Sequence, residues 1–106
     1  MISAHWETKG TWVTGMDKPK TIHDFFGFPQ ALFNVQYPAP GDSNFAKSLS
    51  LNSSDPNIGL DENNWGLDHG TWSVLRHMYP KANIPVVQLS IDSTKPFEYH
   101  YNLGKK

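Results

Sequence analysis

Five histidines, His5, His23, His69, His77 and His100, are the side chains of this sequence best suited to chemistry at neutral pH. Imidazole exchanges a proton in that range and is the commonest metal-ligating group. Their spacing matches no local ligand motif: no pair stands four residues apart, and neither HExxH nor HxH occurs. A site built on them must be assembled from distant segments. His69 stands in Trp65-Gly66-Leu67-Asp68-His69-Gly70, a loop expected to lead into a helix. Its glycines permit close backbone approach, so a functional role is expected for His69, while Asp68 lies too near to orient its neighbour's ring. His5 falls at the C-terminal end of an expected first strand, where α/β sheets bind ligands, although an ordinary strand-end histidine fits the same position. His23, beside Asp24 in a long aromatic loop, faces either substrate or solvent. His77, after Arg76, reads as a surface residue, and His100, between Tyr99 and Tyr101, as packing.

Other chemistry finds less support. The segment Phe25-Phe26-Gly27-Phe28-Pro29 reads either as a hydrophobic plug under a long loop or as a wall for a planar aromatic substrate, and sequence alone favours the plug. No carboxylate pair suggests a glycosidase dyad, no glycine-rich phosphate cradle occurs, and no serine occupies a GxSxG turn. Without cysteine there is no disulfide, thiolate metal site or cysteine nucleophile.

The elements that must position these residues fit one small domain, because 106 residues bury only about two thirds of their unfolded surface. The formal net charge of −1 argues against a basic nucleic-acid-binding tail and against general attraction to anionic membranes. There is no apolar run of about 18 residues and no signal-peptide layout, so no membrane span is expected and the cytoplasm is the expected compartment. Four Trp, six Phe and four Tyr suggest a dense core or a piece of a larger one. A short strand is expected at Met1 to Trp6, and another over Thr11 to Met16. Lys18 to Gly41 reads as an irregular excursion of the kind that lines a site. Asp42 would cap a helix over Ser43 to Leu49, ended by the cluster Ser50 to Pro56. Thr71 would cap a helix over Trp72 to Tyr79, stopped by Pro80, with Trp72, Leu75 and Tyr79 on its buried face. Ile84 to Ile91, almost continuously apolar, suits a central parallel strand covered on both faces. Ser93 or Thr94 would cap a last helix through Tyr99 to Leu103, with Pro96 in its first turn. This alternation predicts an α/β layer fold with a mixed or parallel central sheet flanked by helices.

Five blocks carry a resemblance that periodicity does not supply: Ile2-Ser3-Ala4-His5-Trp6-Glu7; Thr21-Ile22-His23-Asp24-Phe25 with Gly27-Phe28-Pro29-Gln30-Ala31-Leu32; Tyr37-Pro38-Ala39-Pro40-Gly41; Trp65-Gly66-Leu67-Asp68-His69-Gly70-Thr71-Trp72; and Pro85-Val86-Val87-Gln88-Leu89-Ser90-Ile91-Asp92. In their order and spacing the chain resembles the class III extradiol ring-cleavage dioxygenases, in particular the branch that contains DOPA extradiol dioxygenase. The resemblance implies an α/β enzyme in which one non-haem Fe(II), or Zn(II), binds a catechol and O2, and the ring is cleaved beside its hydroxyls. It implies His5 as a metal ligand and His69 as a catalytic residue helping proton movement near the substrate hydroxyl. His23 and Phe28 are expected to contact the substrate.

The family's other metal ligands, a His in a Gly-His-Gly loop near its N-terminus and a His or Glu far towards its C-terminus, have no counterpart here. Its further acid/base His, in a Gly-Asn-x-x-His-Asn block, is also unmatched. A facial iron site needs three protein ligands. Residues 1–106 are therefore expected to be a partial catalytic domain, the central segment of a longer one, truncated at both ends and inactive alone. Two alternatives stay open: a non-enzymatic remnant or binding module that self-associates through exposed sheet edges, and one half of a split enzyme.

Overall fold

The computed structural model describes residues 1–52 and 57–105. Along the described residues the elements are β1 (Ile2–Thr8), β2 (Thr11–Thr14), α1 (Gln30–Phe33), α2 (Ser43–Asn52), β3 (Ile58–Asp61), α3 (His69–Met78), β4 (Leu89–Asp92) and α4 (Phe97–Gly104). The strands form one sheet in the order β1-β4-β2-β3. Strand β4 runs parallel to β1 and antiparallel to β2, and β2 runs parallel to β3. The α/β expectation of a mixed, mostly parallel sheet flanked by helices is borne out.

The apolar run before Asp92 is central, as expected, but only Leu89–Asp92 is strand. Pro85 has no N–H to give a ladder, the Val86 N–H goes to the Pro40 carbonyl (2.8 Å), and the Gln88 N–H goes to the Thr14 hydroxyl (2.8 Å). Those bonds divert the backbone before the ladder begins. Strand β1 is longer than expected and irregular: Ile2 pairs with Leu89 and Glu7 with Ile91, so the register shifts between them. The shift breaks the alternation of faces. Ser3 and Trp6 are buried while the adjacent Ala4 and His5 are both exposed, as a bulged segment allows. His5 thus lies in the middle of β1 rather than at its C-terminal end.

The helix starts also differ from expectation at two of three places. Asp42 caps α2 as expected, its Oδ1 accepting the Phe45 N–H at 3.0 Å. The helix then continues to Asn52, so Ser50 does not end it; the rest of the expected stop, residues 53–56, lies outside the described residues. Helix α3 is capped by Asp68, not Thr71: Asp68 Oδ1 accepts the Thr71 N–H at 3.2 Å, which places His69 in the first turn. Thr71 is instead buried inside the helix with its hydroxyl on Gln88 Oε1 at 2.8 Å. Trp72 and Leu75 are buried as expected, whereas Tyr79 leaves the helix as its C-cap and is exposed. Pro96 is the N-cap of α4; Thr94, expected there, gives its N–H and hydroxyl to Asp92 at 2.9 and 2.6 Å.

Two apolar clusters hold the layers. Trp72 and Leu75 of α3 pack with Tyr37, Ala39, Leu67 and Ala82, and Ala46 of α2 packs on Val13 and Ile58 of the sheet. The excursion over residues 18–41 is irregular except for the single turn of α1, and one of the contacts that tie it down is a short parallel bridge. Thr21 bridges Leu67, with Ile22 N–H on the Leu67 carbonyl and Leu67 N–H on the Lys20 carbonyl, each at 2.8 Å. A Cβ at position 66 would overlap the Lys20 carbonyl oxygen, so only glycine admits this contact. Gly66→Ala should therefore cost about 1–3 kcal/mol of folding stability, read from urea unfolding midpoints. An unchanged midpoint would show that the two strands of chain are not held this closely.

Candidate active site around His5, Asp24 and His69

Three local features bring three side chains together. The irregularity in β1 leaves His5 exposed, the Thr21–Leu67 bridge lays Asp24 beside the start of α3, and the Asp68 cap fixes His69 as the helix's first residue. Asp68 is itself immobilised: it is fully buried, and its Oδ2 accepts from Gln88 Nε2 at 2.6 Å and from Trp65 Nε1 at 3.1 Å. These bonds give the buried carboxyl group partners that burial would otherwise deny it. Gly70 completes the approach, because a Cβ there would stand 2.5 Å from Ser3 Oγ and 2.7 Å from His5 Cδ2.

The result is a His–Asp–His cluster whose ligand-type atoms all lie within 4.8 Å of one another. The rings of His5 and His69 have centroids 4.0 Å apart and are tilted by 38°. Asp24 Oδ1 accepts both the backbone N–H and the ring Nδ1–H of His69, each at 2.9 Å. The first bond satisfies a helix-start N–H that has no partner within the helix. The second fixes the tautomer, since a carboxylate only accepts: Nδ1 must carry the hydrogen and Nε2 is left as the basic nitrogen. Partial burial raises the Asp24 carboxyl, but the hydrogen bonds from His69 more than offset it, and the group ends below its usual value.

Beside His69 opens a cavity of about 200 Å³ walled by Phe25, Phe28, Leu32 and Trp72. Phe25 meets His69 edge-on at 5.2 Å and Phe28 at 5.3 Å. The aromatic segment is therefore divided between its two readings. Phe25 packs against the α3 core as a plug, Phe28 lines the cavity as a wall, and Phe26 points outward, 92% exposed.

The structure brings together His5 and His69, with Phe28 close by, and leaves His23 outside the cluster. His23 Nε2 is bonded to the Val35 carbonyl at 2.8 Å, and its ring sits among Phe25, Phe33 and Trp72. His77 is exposed, and His100 bonds the Asp92 N–H and the Pro96 carbonyl, both in keeping with the sequence reading. Asp24 was missed as the partner of His69; its only signal was its place next to His23 in a loop suspected of lining a site. Two imidazoles and a carboxylate are donor types suited to Fe(II) or Zn(II). The His5 ring has no hydrogen-bond partner among the described residues, whereas Asp24 and His69 hold one another.

The family described as the catalytic LigB subunit of aromatic ring-opening dioxygenase matches residues 1–106. The chain belongs to this LigB family. It is 54% identical over 106 residues to 4,5-DOPA dioxygenase extradiol of Escherichia coli strain K12, covering 100% of this chain and 39% of that protein. It is 43% identical over 107 residues to 4,5-DOPA dioxygenase extradiol of Mirabilis jalapa, covering 99% of this chain and 40% of that protein. The crystal structure of an uncharacterized protein from Escherichia coli K12 matches 98% of this chain and 37% of its own, with a TM-score of 0.74 and 43% identity. The chain thus spans about two fifths of the length of the curated relatives it matches. LigB membership bears out the resemblance carried by the five sequence blocks.

The Asp24–His69 pair has a pH signature. The native carboxyl ionises below its unfolded value, so its contribution to stability is full above about pH 4 and is lost as pH falls through the lowered native value. Urea midpoints measured down to about pH 3 should fall more steeply for the native sequence than for Asp24→Asn. Parallel profiles would contradict the pairing.

Proposed function

We propose that this chain forms part of the active site of a dioxygenase that cleaves catechol rings with O2, residues 1–106 being the central segment of one catalytic domain. The observation that carries the reading is the contact between the His5 and His69 rings at 4.0 Å, with Asp24 holding His69 from behind. His5, exposed and without a hydrogen bond to its ring among the described residues, is the metal ligand. A bound Fe(II) or Zn(II) would supply a Lewis acid that lowers the pKa of a catechol hydroxyl. His69 accepts that hydroxyl proton on Nε2, and the Asp24 carboxylate on Nδ1 stabilises the imidazolium so formed. The catechol ring lies against Phe28 and Phe25. His23 contributes by holding that wall in place through its bond to Val35.

Ring cleavage is proposed for the complete protein, and these residues alone are expected to be inactive. The His5 ring makes no hydrogen bond among the described residues, whereas His69 Nδ1 and Asp24 Oδ1 are engaged with each other and leave His69 only its Nε2 for the proton. Anaerobic Fe(II) titration with metal analysis after dialysis tests this. In a completed, active form the metal should be lost in His5→Ala and kept in His69→Ala, while these residues alone should retain none after dialysis and take up no O2 when a catechol is added. In a completed, active form His69→Ala should slow turnover by roughly 10²–10⁴-fold. Retention indifferent to His5→Ala would overturn the ligand assignment. A self-associating module is the second reading, favoured by Ile2 at 61% and Phe97 at 94% exposure around an apolar groove beside edge strand β1. A chain that binds neither metal nor catechol, yet sediments as an oligomer, would support it.

A further inference from the structure

Strand β1 has no regular register where it carries His5. Ile2 pairs with Leu89 and Glu7 with Ile91, and His5 lies in the interval between, where the register shifts. The His5 N–H goes to Ser3 Oγ of the same strand at 3.2 Å, a bond that ties nothing to β4. A side chain supplies an anchor there. Trp6, the residue after His5, is only 5% exposed and stacks on Trp65, the ring planes within 4° and the centroids 5.8 Å apart. That spacing is in the range aromatic pairs favour.

Trp65 is itself held at both its backbone and its ring. Its backbone N–H goes to Asp61 Oδ2 at 2.9 Å, and Asp61 Oδ1 accepts the Asn63 and Asn64 N–H groups at 3.1 and 2.8 Å, closing the turn that follows β3. Its indole Nε1–H goes to Asp68 Oδ2 at 3.1 Å. Asp68 does not need that bond to cap α3, since its Oδ1 accepts the Thr71 N–H and its Oδ2 already accepts from Gln88. What the bond adds is an orientation for the indole. One side chain thus joins the residue after His5, by stacking, to the residue before His69, by a hydrogen bond. Leucine would fill the space without a plane, and phenylalanine would stack without a donor.

Two groups that act on one substrate must keep their spacing, and a misplacement of about 1 Å can cost about 100-fold in rate. We propose that Trp65 is a positioning residue that sets the separation of the His5 and His69 rings, acting through Trp6 on one side and Asp68 on the other. The proposal rests on the reading of the two histidines as one site and adds to it the side chain that keeps them in register.

Through-space proton NMR contacts between the His5 and His69 rings test it in the chain itself, with the ring shifts of His23 and His100 reporting on the rest of the fold. Trp65→Leu should abolish the His5–His69 contact while leaving His23 and His100 unmoved. Trp65→Phe, which restores the stack without the bond to Asp68, should recover a weakened contact, a graded rescue that general loosening would not give. If Trp65→Leu does not fold, Trp65→Phe decides alone by the same reading. A contact of native strength in either variant, or a loss in which His23 and His100 shift as well, would overturn the positioning role and leave the two-histidine site standing. No contact between the rings in the native chain would overturn the site and the positioning role together.

Discussion

The absence of a side chain at position 70 lets the first turn of α3 lie against the irregular part of β1, and the candidate site depends on that contact. Any Cβ at this position would meet Ser3 and His5, so a larger residue would push the helix away and separate the two imidazoles. The helix is held in place from the other side by Asp68. That buried carboxylate joins the helix start to Gln88, just before the central strand, and to the Trp65 indole. Backbone proximity and a buried, fully hydrogen-bonded side chain thus act on the same turn of helix.

Once the turn is placed, electrostatics decides what His69 can do. Asp24 arrives from a segment distant in sequence, on a loop whose one ladder-like contact is the bridge to Leu67, and it takes both the N–H and the ring of His69. The pair aligns a basic Nε2 next to a cavity with an aromatic wall. His5 stands at its edge with neither ring nitrogen hydrogen-bonded among the described residues. Metal ligation by His5 and proton transfer by His69 are the roles proposed for the two rings, of which only His69 is held by a carboxylate.

Much of the fold was legible in the sequence, for reasons that also explain the failures. The apolar run ending at Asp92 marked the central strand, and Asp42 marked the start of α2, because burial and capping are local signals. Which of Asp68 and Thr71 caps α3 was not decided locally. Both have capping side chains, and the choice turned on Gln88, which takes up the Thr71 hydroxyl from across the fold. The middle position of His5 in β1 followed from a register shift that no single-strand pattern announces. His5 and His69 were singled out by residue type and by resemblance. Asp24 was overlooked because its role depends on a two-residue bridge between segments about 45 positions apart, a tertiary contact with no periodic trace in the sequence.

The central claim is that His5 and His69 form one site in which Asp24 fixes the tautomer of His69. Long-range nitrogen–proton NMR of the histidine rings during a zinc titration tests it most directly. The account predicts His69 in the Nδ1–H form before zinc is added, followed by zinc-induced shifts centred on His5 and the neighbouring His69, with His23, His77 and His100 unmoved. His69 in the Nε2–H form, or zinc shifts centred on any of the other three rings, would contradict it.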